Sequence, residues 1–234
     1  PQWMYRVGTG EFTDSLALDE MTNFSRMIVP FFAVQQNATL ELKTKTDTID
    51  NLLDLDHQGH TSVAWSVNMP KIIASEEPKT ATLDERLRAA TLCQEAGYRI
   101  GFHFDPILLY PGWEKEYRQV VERIFNVVSP DTISWISLGG FRYAPELKPM
   151  IRRRFPHSQI LCGEFVPCAD GKMRYLKHLR LNIYASMLSN IKRYGSHIPV
   201  YLCMESRQVW KQVYGWTPNC DKDLVHIFDR RLTM

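Results

Sequence analysis

The sequence lacks any long apolar segment that is free of charged or polar residues. Hydrophobic residues make up 44% of its 234 residues. No segment approaches the ~20 consecutive apolar residues that a transmembrane helix needs. Even the apolar stretch around Phe31 and Phe32 is flanked by Pro30 and Gln35. We therefore expect a soluble protein without a membrane partner.

Cysteine is scarce, and its spacing excludes the common cysteine frameworks. The five cysteines are an odd number, and no two of them have the Cys-x2-Cys spacing of a zinc or cluster site. The closest pair, Cys162 and Cys168, is separated by five residues. No signal-peptide pattern is present either, so we expect a cytoplasmic protein with reduced thiols and no metal site of its own.

The chain also lacks repeats, low-complexity segments and a large net charge, which is +2. Its length suits a single α/β domain over residues 1–234. The charges are unevenly placed, because residues 142–193 contain eleven lysines and arginines against three acids. This later region could face phosphate groups.

Apolar strand patterns alternate with helical periodicity along the chain. Strands are predicted at residues 5–7, 38–44, 62–68, 99–106, 132–139 and 197–204. Helices are predicted at residues 19–34, 48–56, 82–96, 112–128, 145–155 and 172–194. This alternation indicates parallel strands with right-handed crossovers, arranged as an open doubly wound sheet or as a full or partial barrel. Both architectures place their chemistry beyond the carboxyl ends of the strands.

Polar and glycine residues follow several of these predicted strands. They are Gly8, Thr9, Gly10, Glu11, Lys43, Lys45, Ser66, Asn68, His103, Asp105, Gly139, Gly140 and Arg142. The two glycines of "GTGE" let a ligand approach the backbone, and Glu11 can accept hydrogen bonds from an ammonium group. The segment lacks the third glycine of a dinucleotide-binding fingerprint. Lys45 and Asp105 would perturb each other's ionisation if they met in a cleft.

Two longer segments resemble a known family. They are "TKTDTIDNLLDLDHQGHTSVAWSVN" at residues 44–68 and "AGYRIGFHFDPILLYPGWEKEY" at residues 96–117. Together they resemble the spore photoproduct lyase family of radical S-adenosylmethionine enzymes, and the likeness covers most of residues 5–160. The resemblance implies a partial (β/α)6 TIM-like barrel that binds S-adenosylmethionine and a [4Fe-4S] cluster. It also implies chemistry started by a 5′-deoxyadenosyl radical, in DNA repair or nucleic-acid modification.

The resemblance further implies roles for individual residues. The "GTGE" turn is similar to the family's Gly-Gly-Glu-like turn, which holds the methionine amino group of the cofactor. The implied cofactor-binding residues are Gly8, Thr9, Gly10, Glu11, Lys45, Ser66 and Asn68. The implied substrate-binding residues are Asp105 and Arg142. We expect the cofactor-binding set to converge at one end of a parallel sheet.

If "GTGE" follows the second strand of the family's barrel, the first β/α unit and its Cys-x3-Cys-x2-Cys loop are missing. The [4Fe-4S] cluster would then belong to the intact protein only, and this chain alone would be inactive. Anaerobic reconstitution with iron and sulfide should give no cluster absorbance. The edge of the first strand, "WMYRV", would be open, and we expect self-association unless the missing segment covers it.

Two other functions remain open from the residues alone. A nucleic-acid-binding barrel module without radical chemistry would use the basic region, with Tyr175 for base stacking. Its phosphate contacts would be Arg152, Arg153, Arg154, Lys172, Arg174, Lys177 and Arg180. A barrel hydrolase would use His103 and Asp105 as base and acid, but no nucleophile accompanies them.

Overall fold

The computed structural model describes residues 4–11 and 13–224. The strands of this part of the chain are β1 (Tyr5–Gly8), β2 (Ala38–Thr44), β3 (Thr61–Ser66), β4 (Arg99–Ile107), β5 (Ile133–Gly140), β6 (Arg142–Tyr143), β7 (Phe165–Pro167), β8 (Met173–Tyr175) and β9 (Val200–Leu202). The α-helices are α1 (Asp19–Thr22), α2 (Phe24–Ala33), α3 (Pro70–Glu76), α4 (Leu83–Glu95), α5 (Trp113–Val127), α6 (Leu147–Arg154), α7 (Lys177–Lys192) and α8 (Arg207–Tyr214).

Six strands form one parallel sheet in the order β1-β2-β3-β4-β5-β9. The order in space follows the order in the chain, whereas a doubly wound sheet reverses its strand order at a switch point. The sheet is therefore of the barrel type, and the predicted positions of its six strands are confirmed. Helices α2, α4 and α7 pack against its strands.

The two faces of this sheet differ in character. Its outer face carries apolar side chains buried under the helices, such as Leu40, Leu42, Val63, Phe102, Ile136 and Leu138. The registers place polar and charged side chains together on the inner face, among them Glu41, Ser62, His103, Ser137 and Tyr201. Parallel sheets are commonly apolar on both faces, so a polar inner face marks a surface that holds something other than a core.

The sheet curls around its polar face. A guanidinium nitrogen of Arg6 in β1 lies 3.5 Å from the hydroxyl of Tyr201 in β9, although these are the two edge strands. In a flat sheet the edge strands would be roughly 24 Å apart, at about 4.8 Å per strand. The six strands thus form a half-barrel.

Several predicted elements were wrong. Residues 48–56 contain only a 3-10 helix, Asp50–Leu52, because aspartate and asparagine there favour turns over helix. The helix predicted at 19–34 is divided into α1 and α2 at Asn23, which has φ 51°. The helix predicted at 172–194 begins only at Lys177, because residues 173–175 form β8.

Some elements were not predicted from the sequence. Helices α3 and α8 were not predicted, nor was a small antiparallel sheet in the order β6-β8-β7. This small sheet follows directly after β5. In the described residues, no helix is long and apolar enough to cross a membrane.

Candidate functional site

A pocket of about 200 Å³ lies where β1, β2, β3 and β4 end. It is lined by Gly10, Glu11, Thr13, Asp14, Lys43, Thr44, Lys45, Ser66 and Asp105. Five of the nine predicted site residues meet there, namely Gly10, Glu11, Lys45, Ser66 and Asp105. The pocket opens on the polar inner face of the half-barrel.

The turn after β1 is fastened to the end of β2. The amide of Thr9 donates to the carbonyl of Glu41 at 3.3 Å, and the amide of Ser15 donates to the carbonyl of Lys43 at 2.9 Å. A Cβ on Gly10 would lie 2.7 Å from both the Cβ and the carbonyl oxygen of Lys43. Glycine is therefore needed at position 10 because the turn packs directly on β2.

Gly8 and Thr9 support this turn from outside the pocket. Gly8 is the last residue of β1, and the Thr9 hydroxyl lies 2.7 Å from that of Ser15. Ser15 in turn accepts a hydrogen bond from the amide of Lys43 at 3.0 Å. Both predicted residues thus position the turn, and the structure places neither among the residues that line the pocket.

Asp14 is a pocket residue that sequence reasoning missed. One carboxylate oxygen accepts hydrogen bonds from the amides of Leu16 and Ala17, both at 3.0 Å, and from the Thr44 hydroxyl at 2.6 Å. The other accepts from the amide of Lys45 at 2.7 Å. The Thr-Asp-Ser run is a signal for such a side-chain-to-backbone turn. Asp14 locks the turn after β1 to the exit of β2.

The charged groups of the pocket differ in their pairing. The ammonium of Lys45 lies 2.9 Å from Glu77, which also binds the buried Arg86 at 2.8 Å. Lys45 therefore pairs with Glu77. The interaction of Lys45 with Asp105 that the sequence suggested is not formed. Within residues 4–11 and 13–224, neither the Glu11 carboxylate nor the Lys43 ammonium has an ion-pair partner. These two groups are available to a ligand.

Asp105 and Arg142, the predicted substrate residues, form a two-pronged ion pair with N–O distances of 2.8 and 3.0 Å. Burial acts to raise the pKa of Asp105, but the hydrogen bonds and charge of Arg142 hold that pKa below its ordinary value. A Cβ on Gly139 would lie 2.6 Å from the Asp105 carboxyl carbon. Arg142 thus keeps Asp105 in its carboxylate form. The Asp105 side chain can occupy this position only because residue 139 is glycine.

Cys203 adjoins this ion pair. Its sulfur lies 3.8 Å from Arg142. Burial, with a further contribution from Asp105, raises the pKa of the Cys203 thiol to about 12. Cys203 is therefore a neutral thiol at neutral pH.

The structure does not bring Asn68 into the pocket. Its side chain is buried, accepts a hydrogen bond from the Tyr117 hydroxyl at 2.7 Å and donates to the carbonyl of Pro106 at 3.1 Å. These contacts tie the exit of β3 to the end of β4. A cofactor contact by Asn68 stays a prediction.

His103 and Asp105 do not form an acid–base pair. A ring nitrogen of His103 lies 2.7 Å from the buried Glu41 carboxylate, which also lies 3.4 Å from Arg6. Burial acts to raise the pKa of Glu41, but the hydrogen bond with His103 keeps that pKa below its ordinary value. Because Asp105 is taken by Arg142, the hydrolase arrangement is absent.

Some arginines of the basic region, residues 142–193, form internal ion pairs. Arg174 binds Asp170 at 2.5 and 2.7 Å, and the buried Arg180 pairs with Glu205. Tyr175 is 2% exposed, so it is not available to stack on a base. The predicted use of these three residues in a nucleic-acid surface is wrong.

The thiols do not assemble a metal site in the described part of the chain. Cys93 is buried, Cys162 and Cys220 are exposed, and Cys168 and Cys203 are half-buried. Among the described residues, no three histidine, cysteine or acidic side chains are grouped so that they could hold a metal ion. These residues therefore do not fit an iron–sulfur cluster.

The chain is similar to known spore photoproduct lyases. The family model described as "Spore photoproduct lyase" matches residues 4–178. The spore photoproduct lyase of Bacillus subtilis is 30% identical over 154 residues, which are 65% of this chain and 45% of that protein. That of Clostridium acetobutylicum is 23% identical over 188 residues, 78% of this chain and 56% of that protein. The chain spans about half the length of the curated relatives it matches.

Solved structures show the same fold. A spore photoproduct lyase complexed with dinucleoside spore photoproduct superposes with a TM-score of 0.78 at 24% identity, over 86% of this chain and 62% of that one. A mutant of such a lyase with bound AdoMet and dinucleoside spore photoproduct gives 0.76 at 23% identity, over 86% and 61%. At this identity the likeness establishes the half-barrel architecture.

Proposed function

The chain belongs to the spore photoproduct lyase family, and we propose that it is the core of a radical S-adenosylmethionine enzyme acting on nucleic acid. The activity would be DNA repair or a related modification. The observation that carries this proposal is the meeting of Glu11, Lys43 and Ser66 in one pocket at the carboxyl end of the half-barrel.

The donor set of the pocket suits the amino-acid end of S-adenosylmethionine. That end carries an ammonium and a carboxylate, which complement the carboxylate of Glu11 and the ammonium of Lys43. At about 200 Å³ the pocket is smaller than the ~300–1,000 Å³ of sites that enclose a drug-sized ligand. The pocket would therefore hold the amino-acid end, and the nucleoside would lie along the polar inner face.

Glu11 and Lys43 would hold S-adenosylmethionine, which would supply a 5′-deoxyadenosyl radical to start the reaction. The described residues do not fit the [4Fe-4S] cluster that the family resemblance implies, so we assign no step to it. That the chain alone is inactive stays a prediction.

The residues of this chain would bind and orient the reactants. Glu11 and Lys43 would fix the amino-acid end of the cofactor, and the Ser66 hydroxyl lines the same pocket. The Asp105–Arg142 pair would present oriented guanidinium hydrogens to the substrate. Because the pair has no net charge, it would not attract a competing ion.

A barrel module that binds nucleic acid without radical chemistry is not favoured. In such a module, an unpaired carboxylate such as Glu11 at the end of the sheet would repel the phosphate groups of the nucleic acid. Arg174, Arg180 and Tyr175 are also unavailable to a nucleic acid.

The test is the affinity for S-adenosylmethionine, measured by calorimetry on the chain and on Glu11→Gln. We expect saturable binding, weakened about tenfold or more by the substitution, because a charge-assisted hydrogen bond contributes roughly 1.5–3 kcal/mol. Glu20→Gln, at an exposed position of α1, is the matched control and should bind as the unchanged chain does.

A ligand without the amino-acid end sharpens this test. The affinity for 5′-methylthioadenosine should be the same in the unchanged chain and in Glu11→Gln, since this ligand has no ammonium. Equal S-adenosylmethionine affinity in the two proteins, or no binding by a chain that circular dichroism shows to be folded, would refute the proposal.

A further inference from the structure

Helix α6 carries three arginines of the basic region, and none of them forms an internal ion pair in the described part of the chain. Arg152, Arg153 and Arg154 are consecutive in its last turn, and the helix buries none of its residues. In the described part of the chain these three arginines form no salt bridge, in contrast to Arg142 and Arg174. The guanidinium of Arg154 lies over the ring of Phe155, 5.8 Å from its centre, and that ring is half exposed.

Contacts of the segment that follows α6 connect this cluster to the surroundings of the candidate pocket. The Ser158 hydroxyl and the Gln159 amide donate to Glu76 at 2.6 and 3.1 Å. The next residue, Glu77, forms the ion pair with pocket-lining Lys45. Since Arg154 is four residues from Ser158, at most about 14 Å of extended chain separates them. The contacts therefore connect α6 to the wall of the pocket.

Helix geometry alone does not account for three adjacent arginines. One cation in a last turn compensates the negative end of the helix dipole. Three successive residues point about 100° apart around the helix axis, so they cover more than half of its circumference. Such an array presents positive charge to a large partner and not to a single side chain.

We propose that Arg152, Arg153, Arg154 and Phe155, here called the α6 surface, bind the phosphodiester backbone of a nucleic-acid strand whose reacting nucleotide enters the half-barrel. This rests on the proposed function, because it assumes that the substrate is part of a polynucleotide. Guanidinium groups bind phosphate oxygens through two hydrogen bonds at once. An exposed aromatic ring beside them suits an unstacked base.

The test compares two triple variants that remove the same charge. One is Arg152→Gln/Arg153→Gln/Arg154→Gln, and the control is Lys115→Gln/Arg118→Gln/Lys192→Gln, at exposed positions of α5 and α7. Affinity for a short fluorescent DNA duplex is measured by anisotropy over a range of salt concentrations. Since each phosphate contact contributes about 0.9 to the slope of log K against log salt, the α6 variant should reduce that slope by about 2 to 3. The control should leave it nearly unchanged.

Other outcomes would overturn the proposal. Equal losses in the two variants would indicate a general charge effect, and an unchanged slope in the α6 variant would exclude contact. Competition by poly-glutamate as effective as that by unlabelled DNA would point to an acidic protein partner. The α6 variant should retain the S-adenosylmethionine affinity of the unchanged chain, so failure of this inference and failure of the proposed function are distinguishable.

Discussion

Asp105 and Arg142, the two residues proposed to contact the substrate, form an ion pair with each other. Their side chains are 11% and 15% exposed, so the surrounding water screens them only weakly. Removing the negative charge would leave a largely buried guanidinium without its carboxylate, which is costly. This pair should therefore contribute to stability, in addition to the substrate role proposed for it.

We expect Asp105→Asn to lower the free energy of unfolding at pH 7 by about 1–3 kcal/mol, the cost of leaving a buried group poorly paired. The folded-state pKa of Asp105 lies below its ordinary value of 3.8. Its contribution is therefore complete above that ordinary value and is lost as the pH falls through the folded pKa. The difference between the two proteins should be constant from pH 7 to about pH 4 and should shrink below that.

Urea unfolding over this pH range measures the effect. Glu95→Gln is the control, since Glu95 is exposed on α4. A difference that persists undiminished at the lowest pH would show that the carboxylate charge of Asp105 is not what stabilises the pair.

The strand-exit rule predicted much of the pocket at the level of residues. Gly10, Glu11, Lys45, Ser66 and Asp105 were placed together because parallel strands end on one rim. The rule gives positions along the chain and not the partners of side chains. It therefore could not show that Lys45 pairs with Glu77, or that the Asn68 side chain accepts a hydrogen bond from Tyr117.

Strand β1 is the most exposed element of the sheet. All four of its residues are exposed, it hydrogen-bonds to β2, and Tyr5 and Val7 are 60% and 41% exposed. Residues 1–3 lie outside the described part of the chain. An exposed strand edge with apolar side chains can pair with a strand of another molecule.

We expect light scattering to show dimers or larger species of this chain. Val7→Lys should suppress them, because a charge on an edge strand opposes pairing. Val127→Lys, at an equally exposed position of α5, should not. A monodisperse monomer at high concentration, with β1 protected from hydrogen exchange, would mean that the edge is covered from within.

Strands β2, β3, β4, β5 and β9 of the main sheet could be predicted because each has a strong apolar pattern and follows a helix or turn. The elements that failed are short or depend on distant partners. Strand β8 is stabilised by pairing with β6 and β7, and nothing in its own three residues indicates this. The sequence "RIGFHFDP" did indicate the two faces of the sheet. In this strand His103 and Asp105 alternate with buried phenylalanines, so the polar and apolar side chains lie on opposite faces.

At the scale of the whole molecule, charged and aromatic side chains connect the two edge strands across the inner face of the half-barrel. The guanidinium of Arg6 lies 4.4 Å from the centre of a ring of Trp135 and also near Tyr201, and Glu41 connects Arg6 to His103. This network joins the first strand of the sheet to the last. The candidate pocket lies at the carboxyl end of this sheet.

The most direct test of the account is a crystal structure of this chain with S-adenosylmethionine. The account predicts that the ammonium of the ligand lies within hydrogen-bond distance of the Glu11 carboxylate, in the pocket that Lys43 and Ser66 also line. Its nucleoside should extend along the polar inner face of the sheet. A ligand bound in a groove between the outer helices, or one that leaves Glu11 without contact, would contradict the account.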